Sequence, residues 1–273
     1  MSKPVLRDLR RVVVKIGSSL LIDSDNRLDR AWLESLADDV ARLRENDQQV
    51  LLVSSGAVAI GSQVLGINPR RARLDELQAA AAAGPVQLVH AYQEALGRHD
   101  IRAAQVLLTP DDTEVRRRFL NARNTLEKLL EHRIVPVINE NDTVATDEIR
   151  YGDNDRLAAR VAQTVMADGL VLLSDVDGFY SADPRSHPDA EFFDVVESID
   201  DRHVAMAGAS GTQVGSGGMN TKVQAARIAT HAGCATMIAS GAGERPLGRL
   251  SDGGRHTLFP AAATPAAIRK QWL

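Results

Sequence analysis

Short, continuously apolar segments alternate with amphipathic segments along the chain, and this alternation constrains the fold more than any other feature. The apolar segments predict strands over residues 11–16, 49–53, 101–108, 134–138, 169–173 and 235–239. The amphipathic segments predict helices over residues 30–46, 57–65, 74–83, 86–98, 119–132, 154–167 and 219–232, with Gly84-Pro85 separating the third from the fourth. Continuous apolar strands separated by helices indicate a mainly parallel sheet that helices cover on both faces.

The length of the chain, 273 residues, is compatible with one large domain. No internal repeat and no low-complexity linker divides it. We therefore predict a single α/β domain over residues 1–260. Residues 261–273 lack periodicity, and we predict that they form a tail.

Composition and charge exclude several classes of protein. Hydrophobic residues make up 44% and charged residues 25%, as in ordinary globular domains. The net charge of −4 argues against a nucleic-acid-binding protein, which usually carries a basic surplus. A single cysteine, Cys234, excludes an internal disulfide, and we expect it to be a small buried apolar residue. With no signal-peptide pattern and no long apolar run, we expect a cytoplasmic protein without a membrane partner.

Polar, glycine-rich segments follow the carboxyl ends of the predicted strands. In open α/β sheets, ligands bind outside the carboxyl ends of the strands. We therefore predict the functional site at this edge of the sheet. The segments concerned are residues 15–19, 54–56, 139–142, 152–155, 174–178 and 215–222.

Two lysines in these segments indicate phosphate chemistry. The glycine-rich segment 215–222 leads directly into a predicted helix, where backbone N–H groups can bind an anion, and Lys222 adds a positive charge. Lys15 ends an otherwise apolar strand and precedes Gly17. The two lysines together suggest a clamp on a phosphoryl group. The alternatives are a merely flexible loop for the first feature and a lysine that extends to solvent for the second.

Acidic and amide side chains form a second group. Asp142, Asp153 and Asp155 lie among Asn139, Asn141 and Asn154. Ordinary turn chemistry is one interpretation, because Asn and Asp are common in turns. A site for a hard cation and a pocket for a substrate ammonium group are the two others. The sequence lacks a His/Cys pattern for zinc, and we expect no protein-held metal.

Seven motifs in order along residues 10–273 resemble the amino acid kinase family. The motifs are Lys15-Ile-Gly-Ser-Ser, Ser54-Ser-Gly-Ala, Phe119-Leu-Asn-Ala-Arg, Val137-Ile-Asn-Glu-Asn-Asp-Thr-Val-Ala-Thr, Gly152-Asp-Asn-Asp, Ser181-Ala-Asp-Pro-Arg and Gly217-Gly-Met-Asn-Thr-Lys. The fourth and fifth are typical of the glutamate 5-kinase branch. The resemblance implies an αβα sandwich around a mainly parallel sheet. It also implies ATP-dependent phosphorylation of the γ-carboxylate of L-glutamate to L-glutamyl 5-phosphate, the first step of proline biosynthesis.

The same resemblance implies roles for particular residues. Lys15 and Lys222 would flank the transferred phosphoryl group, and Asp155 would orient them. ATP would enter with Mg²⁺ on its phosphates, proline would act as a feedback inhibitor, and the protein would form a homo-oligomer. The implied glutamate-binding residues are Ser55, Gly56, Asp142, Asp153 and Asn154, and the implied ATP-binding residues are Lys15, Ser174, Asp175, Ser216, Gly217, Gly218, Met219, Asn220, Thr221 and Lys222.

The resemblance leaves three questions open. Many glutamate 5-kinases continue into a C-terminal PUA domain, and residues 269–273 resemble the linker to it. A different amino acid kinase, acting on N-acetylglutamate, aspartate, carbamate or a nucleotide, is the first alternative function, although an acetylated substrate would not need Asp142 and Asp153, and a nucleotide would need arginines in these loops. A non-enzymatic amino-acid sensor is the second, although a sensor need not keep both Lys15 and Lys222.

Overall fold

The computed structural model describes residues 5–23, 27–69, 71–144, 154–209 and 218–262. The strands are β1 Arg11–Ile16, β2 Gln49–Ser54, β3 Ala103–Leu108, β4 Val135–Glu140, β5 Gly169–Ser174, β6 Phe179–Tyr180, β7 Phe192–Phe193, β8 Ala235–Ser240 and β9 His256–Phe259. The helices are α1 Ser18–Leu21, α2 Arg30–Glu45, α3 Ala57–Leu65, α4 Leu74–Gly97, α5 Asp111–Glu114, α6 Arg116–Glu131, α7 Asn154–Thr164, α8 Asp201–Ala209, α9 Met219–His231 and α10 Pro246–Ser251. Short 3₁₀ turns occupy Leu6–Asp8 and Asp142–Val144.

Seven of the strands form one sheet in the order β3-β4-β2-β1-β5-β8-β9. All neighbouring strands are parallel except β8 and β9, so the prediction of a mainly parallel sheet is confirmed. β1 lies in the middle, with β2 on one side and β5 on the other. From β1 the chain continues to β2, β3 and β4 on one side, and then to β5, β8 and β9 on the other. β1 is therefore the topological switch point, where α/β proteins bind ligands.

Two hydrophobic cores lie on opposite faces of the sheet, as the alternation of side chains along β1 shows. Val12, Val14 and Ile16 contribute to the first core, which helices α2 and α4 cover. Val13 contributes to the second, which helices α6, α7 and α9 cover. By the same alternation, Lys15 lies on the face of the second core. The expected sandwich of helices, sheet and helices is therefore confirmed.

The prediction of two helices over residues 74–98 is wrong, because α4 is a single helix with Pro85 inside it. A proline in a helix costs about 3 kcal/mol because it removes a backbone hydrogen bond and clashes with the preceding turn. Packing against α3 overrides that cost. A Cβ on Gly84 would lie 1.8 Å from the Ala57 carbonyl oxygen, and one on Gly61 would lie 1.8 Å from that of Ala80. The two helices therefore touch through their backbones.

Other differences concern the ends of elements and short elements. β4 continues through Asn139 and Glu140, both buried, where the sequence predicted a loop. Several short elements were not predicted: α1, α5, α8, α10, β9 and the small β6–β7 pair. Cys234 is buried, as expected. No helix in the described ranges is both long and apolar enough to cross a membrane. Residues 263–273, most of the predicted tail, lie outside the described residues.

Candidate active site at the carboxyl edge of the sheet

A buried group of three charged side chains lies at the end of the central strand. The Lys15 ammonium is 2.7 Å from Asp155 Oδ1, and the Lys222 ammonium is 3.2 Å from Asp155 Oδ2. β1 carries Lys15, the first turn of α7 carries Asp155, and the first turn of α9 carries Lys222. We call these three residues the Lys–Asp–Lys cluster. Residues distant in sequence thus meet at the predicted edge.

The Lys–Asp–Lys cluster is almost shielded from solvent, with 4% of Lys15, 1% of Asp155 and 5% of Lys222 exposed. Burial by itself would raise the pKa of the Asp155 carboxyl, but the two ammonium groups outweigh burial and lower it below its ordinary value. Asp155 is therefore an ionised carboxylate at neutral pH. Two positive charges against one negative charge leave the cluster with a positive surplus, which suits an anionic ligand.

The start of α9 is tied to this cluster. The Thr221 hydroxyl lies 2.7 Å from both Asp155 Oδ2 and the Gly218 carbonyl oxygen. Since a hydroxyl has one hydrogen, it donates to one of the two at a time. Met219 packs partly buried against the second core, whereas Asn220 is exposed. Of the other predicted ATP-binding residues in this loop, Ser216 and Gly217 lie outside the described residues.

The end of β5 presents a second polar contact at the same edge. Ser174 is buried, and its hydroxyl donates to Asp175 Oδ1 at 3.1 Å. Asp175 Oδ2 lies 2.9 Å from the Arg185 guanidinium, which also binds Asp183. Arg185 had no predicted role. The motif that contains it was the available signal, but only the fold shows that Arg185 reaches back to β5.

The end of β2 turns sharply into helix α3. The Ser55 backbone N–H donates to the Ile16 carbonyl oxygen at 3.2 Å, which holds the turn against β1. Gly56 has a φ of +92°, a left-handed conformation that favours glycine. Gly56 is also the residue before the first turn of α3, where backbone N–H groups lack partners within the helix. This arrangement suits a carboxylate.

Asp142 follows β4, and Asn154 lies at the start of α7, beside the Lys–Asp–Lys cluster. Asp142 is partly buried in the 3₁₀ turn after β4, and burial raises its pKa to about 6. Asn154 begins α7, directly before Asp155, and is half-buried. Asp153 lies outside the described residues. In the described part of the chain, no lysine or arginine forms an ion pair with Asp142, which sets it apart from Asp155.

Asn139 and Asn141 favour the interpretation as local structure. Asn139 is buried inside β4, and its side-chain oxygen accepts a hydrogen bond from the Glu140 backbone N–H at 2.9 Å. The Asn141 side-chain oxygen accepts one from the Thr143 hydroxyl. Both amide oxygens thus bond to neighbours in the chain, that of Asn139 within β4 and that of Asn141 in the turn after it.

The strand order separates the two groups of predicted binding residues. Ser55, Gly56 and Asp142 follow β2 and β4, on one side of β1. Ser174, Asp175 and Lys222 follow β5 or precede β8, on the other side. Lys15, on β1, lies between them. Within the described segments, no three His, Cys, Asp or Glu side chains converge in a way that could hold a metal ion.

Fold and site define a class of protein. Phosphoryl transfer needs mainly positive charge and correct positioning, and the Lys–Asp–Lys cluster offers buried positive charge at the switch point of an α/β sheet. The class is therefore that of the α/β phosphotransferases. Residues 10–240 match the amino acid kinase family. The chain belongs to the amino acid kinase family, and it is a kinase.

Curated relatives agree with this family, and two solved structures share the fold. The chain is 53% identical to "Glutamate 5-kinase" of Rhodopseudomonas palustris (strain HaA2) over 100% of its length, and 57% identical to that of Paramagnetospirillum magneticum over 97%. It spans 73% and 71% of these two relatives. UMP kinase from Ureaplasma parvum shares the fold at a TM-score of 0.64 and 15% identity, over 92% of this chain and 98% of that one. An isopentenyl phosphate kinase does so at 0.59 and 20%, over 90% and 99%.

Proposed function

We propose that this chain catalyses the ATP-dependent phosphorylation of the γ-carboxylate of L-glutamate to L-glutamyl 5-phosphate, the first step of proline biosynthesis. The observation that carries the proposal is the Lys–Asp–Lys cluster at the switch point, between the two groups of predicted binding residues. The curated glutamate 5-kinases, more than half identical over almost the whole chain, support the same activity. Kinases of this family use ATP with a divalent metal ion, and we propose Mg²⁺, which enters as part of the substrate Mg-ATP.

The transfer step needs no general base. A γ-carboxylate has a pKa near 4.3 and is already ionised at neutral pH. One of its oxygens attacks the γ-phosphorus of ATP, the bond from that phosphorus to the bridging oxygen of ADP breaks, and ADP leaves with the electron pair. No proton moves. The difficulty is to bring an anion to a polyanion, and Lys15 and Lys222 would reduce that repulsion.

Asp155 acts in this scheme as a positioning residue. Its two oxygens each contact one ammonium group, and its lowered pKa keeps it charged. A carboxylate held in this way is a poor proton acceptor. It fixes where the two positive charges lie, so that they need not reorganise when charge moves from the γ-phosphoryl group to ADP.

L-Glutamate would bind on the side of β2 and β4. Its α-ammonium group would pair with Asp142, and Asp153 would assist. Its α-carboxylate would accept hydrogen bonds from backbone N–H groups at the start of α3, beside Ser55 and Gly56. Asn154 would contribute its side chain from the start of α7. The γ-carboxylate would then extend toward Lys15.

Mg-ATP would bind on the side of β5 and β8. The phosphates would lie at the start of α9, where backbone N–H groups and Lys222 offer positive charge. Ser174 and Asp175 would line the other part of this pocket. The proposed ATP site also includes the other residues of this loop and helix start, Ser216, Gly217, Gly218, Met219, Asn220 and Thr221.

The activity is tested by trapping its product. The protein is incubated with Mg-ATP and hydroxylamine, which converts an acyl phosphate to a hydroxamate, and L-glutamate, N-acetyl-L-glutamate and L-aspartate are compared. We expect product with L-glutamate and little with the other two. An acetylated amine would leave the partly buried carboxylate of Asp142 unpaired, at a cost of about 1–3 kcal/mol. Equal turnover of N-acetyl-L-glutamate would contradict the assignment, and no turnover would favour the sensor.

We also propose that proline inhibits the enzyme at the glutamate pocket. Proline shares the α-ammonium and α-carboxylate groups of glutamate, so it can compete for Asp142 and Asn154. Inhibition that saturating glutamate relieves is the expected result, and inhibition that glutamate cannot relieve would contradict it.

Assembly, domain limits and location stay predictions. A homo-oligomer is expected in light scattering at micromolar concentration, and a monomer would contradict it. The catalytic domain is expected to end near residue 260, which limited proteolysis can test. A cytoplasmic location can be tested by cell fractionation.

A further inference from the structure

Buried hydroxyl groups connect helix α4 with the start of helix α3. Tyr92 Oη lies 3.0 Å from Ser54 Oγ, and Ser54 Oγ donates to the Ser55 carbonyl oxygen at 3.2 Å. Tyr92 is only 1% exposed and Ser54 is fully buried. The proposed mechanism uses Ser55 and Gly56 but assigns nothing to Tyr92 or Ser54. These two hydroxyls lie directly behind the turn that would receive the substrate α-carboxylate.

The number of hydrogens fixes the direction of this contact. The Ser54 hydroxyl has one hydrogen, which it donates to the Ser55 carbonyl oxygen. Among the described residues the Tyr92 hydroxyl has no hydrogen-bond partner other than Ser54, so both contacts form together only when the phenol donates and the Ser54 oxygen accepts. Burial raises the pKa of the Tyr92 phenol, which keeps the donor protonated at neutral pH.

This chain of hydrogen bonds constrains the peptide bond between Ser55 and Gly56. The N–H and C=O groups of a trans peptide point in opposite directions. Ser54 and Tyr92 lie on the face of the sheet that holds the first core. A Ser55 carbonyl group held toward that face turns the Gly56 N–H toward the opposite face, which carries the Lys–Asp–Lys cluster.

We propose that Tyr92 is a positioning residue that acts through Ser54 to hold the Gly56 N–H toward the α-carboxylate of the substrate. The inference rests on the proposed function, because it assumes that an amino acid with an α-carboxylate binds at the start of α3. Without the Tyr92 hydroxyl, the peptide between Ser55 and Gly56 is less firmly held. The α-carboxylate is bound alike in the ground state and the transition state, so its weaker binding raises KM and leaves kcat little changed.

The test compares Tyr92→Phe with the wild-type full chain. We expect the KM for L-glutamate to rise roughly three- to tenfold, the effect of one lost hydrogen bond, with little change in kcat or in the KM for ATP. Ser54→Ala should shift the same KM in the same direction. The double variant should add little to either single variant, because both break one chain of contacts.

Thr230→Val is the matched control. In the wild type, the buried Thr230 hydroxyl donates to the Ala226 carbonyl oxygen at 2.8 Å. Thr230 lies eight residues after Lys222, about 12 Å further along α9. The variant removes a buried hydroxyl, as Tyr92→Phe does, but far from the turn at Gly56. It is expected to lower Tm and to leave the KM for L-glutamate unchanged.

The outcomes separate this inference from the proposed function. If the wild type turns over L-glutamate and both Tyr92→Phe and Ser54→Ala leave its KM unchanged, Tyr92 only stabilises the core and the inference is overturned. If Tyr92→Phe fails to fold, Ser54→Ala decides by the same measurement. A wild type without glutamate turnover would overturn the proposed function and this inference with it.

Discussion

Two carboxylates at the same edge of the sheet, Asp155 and Asp142, have opposite electrostatic surroundings. Asp155 is buried between the ammonium groups of Lys15 and Lys222, which lower its pKa in spite of its burial. Asp142 is partly buried, and no lysine or arginine pairs with it in the segments that the structure describes. Its pKa is raised to about 6 by burial.

The difference teaches that nearby opposite charges, and not burial alone, decide whether the pKa of a carboxyl group is raised or lowered. The charge of Asp155 is compensated from within the protein, so this residue belongs to the permanent framework of the site. The charge of Asp142 is not compensated in the described part of the chain, so a cationic group on a ligand would stabilise it. The first carboxylate suits positioning, and the second suits recognition of an ammonium group.

The largest expected effect follows from removing the framework charge. Asp155→Asn leaves two buried ammonium groups without their carboxylate, and breaking a buried ion pair costs about 3–5 kcal/mol. We expect a fall in Tm of the order of 10 °C together with a large loss of kcat. Differential scanning calorimetry and steady-state kinetics on the same preparation measure both.

The acid side of the melting curve sharpens this prediction. Because the folded state lowers the pKa of Asp155, its contribution to stability is complete above the ordinary carboxyl pKa and is lost as the pH falls through the lowered value. The difference in Tm between wild type and Asp155→Asn should therefore shrink in acid. An unchanged Tm for the variant at neutral pH would contradict the framework role.

The next effect concerns the lysines that compensate Asp155. Lys15→Met or Lys222→Met should lower kcat by about 10²–10³, as the loss of one electrostatic donor to a transition state does elsewhere. The KM for L-glutamate should change less, because each ammonium group meets charge that shifts as the phosphoryl group leaves ADP. Arginine should restore little at either position, because a planar guanidinium replaces a compact charge.

Lys128→Met is the control for both lysine variants. The Lys128 side chain is 70% exposed on α6 and pairs only with Glu131 among the described residues. We expect its kcat and Tm to stay close to those of the wild type. A folded Lys15→Met variant with near-normal kcat would show that Lys15 only fills the end of its strand.

The fold was predictable where one physical rule dominated. Continuous apolar strands such as β1 and β5 indicated a parallel sheet, and the sheet is parallel at both. The prediction was wrong at Pro85, because backbone contact at Gly61 and Gly84 overrides the local preference of proline. It was incomplete at β9, a short antiparallel strand that depends on pairing with β8 and carries a weak pattern of its own.

The site was predictable as a set of residues and not as a set of contacts. Polar strand ends pointed to Lys15 and Lys222, and the resemblance suggested that Asp155 lies between them. Spacing alone gave no hint that Tyr92 reaches Ser54, since a tyrosine on an amphipathic helix usually belongs to a core. The opposite pKa shifts of Asp142 and Asp155 depend on neighbours brought together only by folding.

A smaller effect is expected when the recognition carboxylate is removed. Asp142→Asn should raise the KM for L-glutamate about 10- to 100-fold, the effect of losing a hydrogen bond to a charged group. The KM for ATP should hardly change. Because the folded state raises the pKa of Asp142, the ionised carboxylate destabilises the protein above pH 6, and the variant should melt at the same or a higher temperature at pH 8. If only the KM for ATP changed, Asp142 would belong to the ATP pocket and not to the glutamate pocket.

The smallest effect is a pH dependence that Asp142 alone should cause. Pairing with an ammonium group requires the ionised carboxylate, so kcat/KM for L-glutamate should rise about tenfold per pH unit below pH 6 and level off above pH 7. The γ-carboxylate of the substrate titrates near 4.3, below this range.

Saturating Mg-ATP removes the contribution of nucleotide binding, and any titration of the nucleotide itself is common to wild type and Asp142→Asn. The variant should therefore lack the inflection near pH 6 that the wild type shows. The same inflection in both proteins would assign it to another group, and Asp142 would then be a carboxylate that L-glutamate does not touch.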